Sequence, residues 1–239
     1  MKTRLAGTLM ILMFAAVPLC AGNLEPPESG KINVAVVLTN GATMIDFAGP
    51  WEVFQDVHIP DRGESMNEQM PFRLYTVSQT LEPIRTSGGM KVMPEFTFEN
   101  APKPDVVVVG AQRGSEGLIA WLQKVAPEAD VMMSVCTGAF KFGDAGLFGE
   151  NRATTHHQFF ERFATRFPDV QLVRGTRYVE ADDRVSSAGG LTSGIDLALH
   201  VVARYFGDEV AARTAEYMEY ESDGWKRGEV VTEAAGTLH

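Results

Sequence analysis

Three stretches of the chain are apolar nearly throughout, with Asn33 and Ser134 the exceptions: INVAVVL (32–38), VVVV (106–109) and VMMSV (131–135). A strand without polar alternation is buried on both faces, which is the habit of a parallel sheet covered by helices on two sides. Helical spacing fills the gaps. Residues 44–57 carry apolar side chains at Met44, Ile45, Phe47, Ala48, Trp51, Val53, Phe54 and Val57. Gly49-Pro50 interrupts that run, and proline is tolerated near a helix start, so the helix is expected to begin in earnest at Pro50 with Asp46 on its approach. Further helices are expected at 117–125, 158–167, 195–205 and 208–220. Shorter strands are expected at 72–77, 152–155, 170–174, 177–180 and 184–187, with a hairpin or arm at 84–93 around Gly88-Gly89 and a polar loop at 58–70. Strands alternating with helices predict an α/β fold in three layers around a mostly parallel central sheet. Ligands of such sheets collect at the carboxyl ends of the strands, and Asp46, Gly110 and Cys136 all map there.

The ends of the chain change this picture. Lys2 and Arg4 precede an apolar run at 9–19, which closes on the small residues Ala21 and Gly22. That layout predicts a secretory signal peptide over residues 1–22, hence an exported protein, periplasmic or secreted. The run falls short of the roughly 20 residues a span requires, so no stable membrane insertion is expected after cleavage. A lipidated Cys20 is the other reading, disfavoured by the bulky Leu19. Residues 23–31, polar with two prolines, read as a tether, 32–220 as one domain, and 221–239 as a frayed polar tail. The formal charge of −10 becomes about −12 once Lys2 and Arg4 are removed, and no basic cluster exceeds a pair such as Lys226-Arg227. Nucleic acid is therefore excluded as a partner, and the acidity reads as solubility.

Cleavage would leave Cys136 as the only cysteine, unable to form an internal disulfide. The segment VMMSVCTGAF delivers it on a buried strand and turns at once, through Thr137-Gly138, into a small-residue helix start. That is the pattern of a nucleophile elbow. A helix start offers free amides and positive dipole, so the thiol pKa is expected below about 8.5, with the Thr137 amide placed to hold a developing anion. Gly110 ends a neighbouring strand, where its amide and that of Ala111 could complete an oxyanion site or merely form a turn. Asp46, between Ile45 and Phe47, is either a carboxyl of raised pKa that passes protons or a helix cap. Glu52, six residues on, could serve less directly. His156, in RATTHH, could assist the thiol or be structural. No histidine or carboxylate spacing suggests a metal site.

The segments DFAGPWEVF, VVVVGA, SVCTGAF, LFGENRATTHH and SSAGGLTSGIDLALHVV follow in the order seen in the ThiJ/PfpI superfamily. The chain resembles that superfamily from about residue 32 to 220, most of all its isocyanide-hydratase-like branch and the related amidase-like domains of some transcription regulators. The resemblance implies a flavodoxin-like three-layer sandwich of the class I glutamine amidotransferase type, and a homodimer. It implies Cys136 as nucleophile, Asp46 as its acidic partner, Gly110 at the oxyanion side and His156 nearby. Thr137 stands where protease-like members carry histidine, which argues against a peptidase. Ala111 replaces a second glycine, which narrows the pocket. Two function classes follow. One is a cofactor-free hydratase or hydrolase acting on a small electrophilic molecule. The other is a ligand- or redox-stress-sensing module that uses the same cysteine without catalysis.

Overall fold

The computed structural model describes residues 24–28, 30–226 and 228. The expected signal peptide lies outside them. Eleven strands and seven helices follow one another: β1 (Ile32–Val37), α1 (Met44–Gln55), α2 (Met66–Gln69), β2 (Phe72–Ser78), β3 (Ile84–Arg85), β4 (Lys91–Val92), β5 (Phe96–Thr97), β6 (Val106–Val109), α3 (Glu116–Val125), β7 (Val131–Val135), α4 (Ala139–Asp144), β8 (Arg152–Ala153), α5 (Phe160–Arg166), β9 (Gln171–Leu172), β10 (Tyr178–Glu180), β11 (Val185–Ala188), α6 (Ser193–Phe206) and α7 (Asp208–Tyr217).

Seven strands form the central sheet in the order β10-β11-β7-β6-β1-β2-β5. All neighbours are parallel except the β10–β11 edge pair. The three mostly apolar runs occupy the middle. Val34, Val36, Val108 and Met133 point into one core with α1, α6 and α7, while Ala35, Val37, Val107 and Met132 point into the other with α3, α4 and α5. Both faces of each strand are therefore covered, which is why none of the three runs alternates.

Four expectations give way. α1 begins at Met44 rather than Pro50, from an extended Thr43. Pro50 sits inside it at the cost of one helical bond, since a residue with an N–H there would have bonded the Asp46 carbonyl. What holds the proline there is packing: a Cβ on Gly194 would lie 3.4 Å from the Pro50 ring, and one on Gly49 would lie 2.9 Å from Ile195. The loop at 58–70 contains the single turn α2, capped reciprocally by Ser65 and Glu68. The edge strand β5 was not foreseen, being two residues long. The tail is docked as far as residue 226. Trp225 is buried in the first core, its carbonyl accepts from Tyr178 Oη at 3.0 Å, and Ser222 Oγ donates to Asp196 Oδ1 at 3.1 Å. At the other end the Leu24 amide donates to the Arg204 carbonyl at 2.9 Å, and Arg62 reaches the carbonyls of Pro27 and Gly30. Among the described residues no helix is long and apolar enough to cross a membrane.

Candidate active site

Strand β7 ends at Val135 in extended conformation, and the next residue, Cys136, takes a left-handed φ of 58°. A residue with a Cβ pays roughly 1–2 kcal/mol for that conformation. Three contacts impose it. The Cys136 amide donates to the Gly189 carbonyl at 2.7 Å, Thr155 Oγ1 donates to the Cys136 carbonyl at 2.8 Å, and Gly138 lies so close to β6 that a Cβ there would sit 2.0 Å from the Val109 carbonyl oxygen. The chain thus turns sharply through a 3-10 turn, Cys136–Gly138, into α4. The thiol is left at the sheet's carboxyl edge, almost wholly buried.

Asp46 faces it from the first turn of α1 and is completely buried. Its Oδ2 accepts the Ala111 amide at 2.9 Å, and the Ala111 carbonyl in turn accepts the Thr43 amide at 2.9 Å. This pair of bonds ties the start of α1 to the end of β6. Gly110 makes the approach possible, since a Cβ there would lie 2.7 Å from the Asp46 Cβ. Oδ1 has no partner of good hydrogen-bond geometry, and the polar group interacting with the carboxyl is the Cys136 thiol. The amides of Thr137 and Leu191 are directed at the sulfur.

Electrostatics run against the expected low thiol pKa. Burial, then the Asp46 carboxylate, push the Cys136 thiol up to about 12, and the Thr137 and Leu191 amides pull it down only in part. Burial pushes Asp46 up to about 6, although the Ala111 amide and the thiol favour its ionised form. At a buried sulfur, desolvation outweighs the dipole of a helix start. Near neutral pH the two groups together hold one proton and one negative charge, and they titrate as a pair.

Residues 32–204 match the family model described as the DJ-1/PfpI family. The chain belongs to the DJ-1/PfpI family. An isonitrile hydratase from Pseudomonas putida is 27% identical over 195 residues, covering 79% of this chain and 78% of that one. The HTH-type transcriptional regulator GbdR of Pseudomonas aeruginosa is 26% identical over 207 residues, covering 84% of this chain but 54% of the regulator, so the chain spans about half of that protein's length. The crystal structure of a THiJ/PfpI family protein from Pseudomonas syringae superposes with a TM-score of 0.66 at 24% identity, covering 86% of this chain and 84% of that one.

In this DJ-1/PfpI domain Cys136, Asp46 and Thr137 converge, with Gly110 and Ala111 as the frame. The role foreseen for Ala111 changes: its amide is already given to Asp46 and is not free for an oxyanion. Glu52 is exposed and is not among the groups that act on the Cys136 thiol. His156 lies just outside. A Cβ on Gly190 would sit 2.3 Å from its Cδ2, its ring stacks on His157, its Nδ1 accepts the Gln158 amide at 3.2 Å, and burial with the neighbouring His157 lowers its pKa. Thr155, not His156, bonds Cys136. Leu191 was missed. It holds a left-handed φ of 53°, and its only sequence signal is the Gly189-Gly190 turn before it. Among the described residues, no group of three or more His, Cys, Asp or Glu side chains could hold a metal ion.

Proposed function

We propose that this chain is a cofactor-free cysteine enzyme that adds water to a small electrophilic carbon, with an isonitrile as the nearest model substrate. The observation that carries it is the buried pair of Asp46 and Cys136 beneath the Thr137 and Leu191 amides. The proton that the pair shares leaves sulfur for the Asp46 carboxylate as the sulfur attacks the terminal carbon. Asp46 then delivers it to that carbon, giving a thioimidate. Water adds to the same carbon through Asp46, which takes one of its protons and passes it to the imine nitrogen. The remaining hydroxyl proton then goes through Asp46 to sulfur as the C–S bond breaks and the N-substituted formamide leaves. One isonitrile and one water thus become one formamide, and thiol and carboxylate are regenerated. The two amides stabilise negative charge on the departing sulfur, and the apolar walls keep the exchange between the two residues. Likeness to an isonitrile hydratase supports this substrate class. We also propose export to the periplasm or medium, and a homodimer.

A second reading has its own support. The thiol is buried and strongly protonated at rest, and the regulator relative shows that related chains occur in proteins named for another task. In that reading the Cys136 site senses a small molecule without turnover. The two separate in one experiment. The protein is incubated with an alkyl isonitrile or an α-dicarbonyl, product is followed by mass spectrometry, and Cys136→Ser is run alongside. Turnover by the wild type and none by Cys136→Ser is expected. Equal product from both would reject the cysteine mechanism, and no product from either would favour the sensor.

A further inference from the structure

The residue after Cys136 opens onto a separate cavity of about 250 Å3. Lys141, Arg162 and Arg166 line it together with the Asp144 carboxylate, beside Thr137 and the rings of Phe140 and Phe159. Arg166 is already neutralised, since Nε and Nη2 both donate to Asp144 Oδ1, at 2.9 and 2.6 Å. Asp144 also attracts Lys141, so this one carboxylate serves two of the three cations. The half-buried Lys141 makes one long hydrogen bond, 3.5 Å from Nζ to the Thr137 carbonyl. The exposed Arg162 lies over the Phe140 ring at 5.7 Å and forms no ion pair among the described residues. An ammonium with three donors and two guanidinium groups with five each therefore border one small space against a single carboxylate, which leaves a net positive charge there. This occurs in a protein whose net charge is −10, so general basicity does not explain it. Lys141 also lies within electrostatic reach of the Cys136 sulfur.

We infer that this cavity binds an anionic group, a carboxylate or a phosphate, and that the electrophile presented to Cys136 carries it. The inference rests on the reading of Cys136 as nucleophile and adds the substrate's charge to it. A carboxylate or phosphate would accept from Lys141 as a point charge and from the Arg162 fork in two parallel bonds. The attached electrophilic carbon would then lie toward Thr137 and the thiol.

Two alkylating reagents that differ in charge provide the test. Iodoacetate and iodoacetamide both lose iodide to the Cys136 sulfur, but only the first carries a carboxylate. The ratio of their rates, measured on the full chain, is the readout. It is expected to fall about tenfold in Lys141→Met, which keeps the aliphatic stem, and similarly in Arg162→Gln, which alters an exposed position and does not threaten folding. Acetate and inorganic phosphate are then tried as protectants against iodoacetate at constant ionic strength. Protection by acetate identifies a carboxylate, and protection by phosphate identifies a phosphate. If both reagents react but the ratio is the same in both variants, or neither anion protects, the anion site is overturned while the nucleophile reading stands. If neither reagent modifies Cys136 between pH 7 and 10, the nucleophile reading falls and the anion site with it.

Discussion

Among the described residues no cation acts on the buried Asp46, and its charge is favoured there by one amide and one thiol. Replacing it by asparagine removes the negative charge that holds the Cys136 proton in place. Asp46→Asn should therefore shift the pH profile of iodoacetamide alkylation to lower pH, so the thiol becomes easier to alkylate at neutral pH. Turnover should fall by about 10²-fold or more, because the proton carrier is gone. A profile that stays in place would mean that the carboxyl does not govern the thiol. Stability provides an independent check. Asp46 rises from 3.8 to about 6 on folding, so the folded state binds its proton more tightly than the unfolded chain does. That contribution is complete below about pH 4 and is lost as pH climbs through about 6, a change on the order of 3 kcal/mol. Urea denaturation of wild type and Asp46→Asn across that window should show the wild type losing ground to the variant. A constant difference would refute the raised pKa. The carboxyl was legible from its apolar neighbours Ile45 and Phe47. The high thiol pKa was not, because desolvation depends on walls supplied by residues 110 and 189–191, far away in the chain.

At the scale of elements, the elbow is set by how closely β7 and its turn approach β6. Gly138 has no room for a Cβ, which would lie 2.0 Å from the Val109 carbonyl oxygen. Backbone cannot yield as a flexible side chain can, so Gly138→Ala should cost about 3 kcal/mol. Urea unfolding measures it, and a loss below about 0.5 kcal/mol, the range of an ordinary surface change, would show that the turn can widen. The three interior strands and the elbow were readable because double-sided burial leaves an unmistakable apolar run. The true start of α1 was not, since Pro50 is accommodated by contacts with Gly194 on a helix about 140 residues later, which local propensity cannot contain. The left-handed Leu191 escaped for a related reason: nothing in a leucine marks its φ, and only the closed loop between β11 and α6 fixes it.

For the whole molecule, the two ends bear on export and assembly. Leu24 is the first described residue and is bonded to Arg204 at the end of α6. A mature chain that begins between residues 21 and 23 would start beside this anchor. N-terminal sequencing of protein recovered from outside the cytoplasm is expected to begin there, and Met1 on that material would overturn the proposed cleavage. Light scattering at micromolar concentration is expected to give twice the chain mass. A monomer would remove the dimer.

The order of the sheet also governs how the protein fails. The edges, β5 and β10, are two and three residues long, so a folded molecule presents little unpaired backbone to a neighbour. INVAVV, VVVV and VMMSV lie in interior strands, walled in by helices. Once heat pulls the helices away, these uncharged β-formers are released together, in the composition that drives chains into cross-β aggregates. Thermal melts of this protein should therefore end in precipitate, with an apparent midpoint that drifts with scan rate.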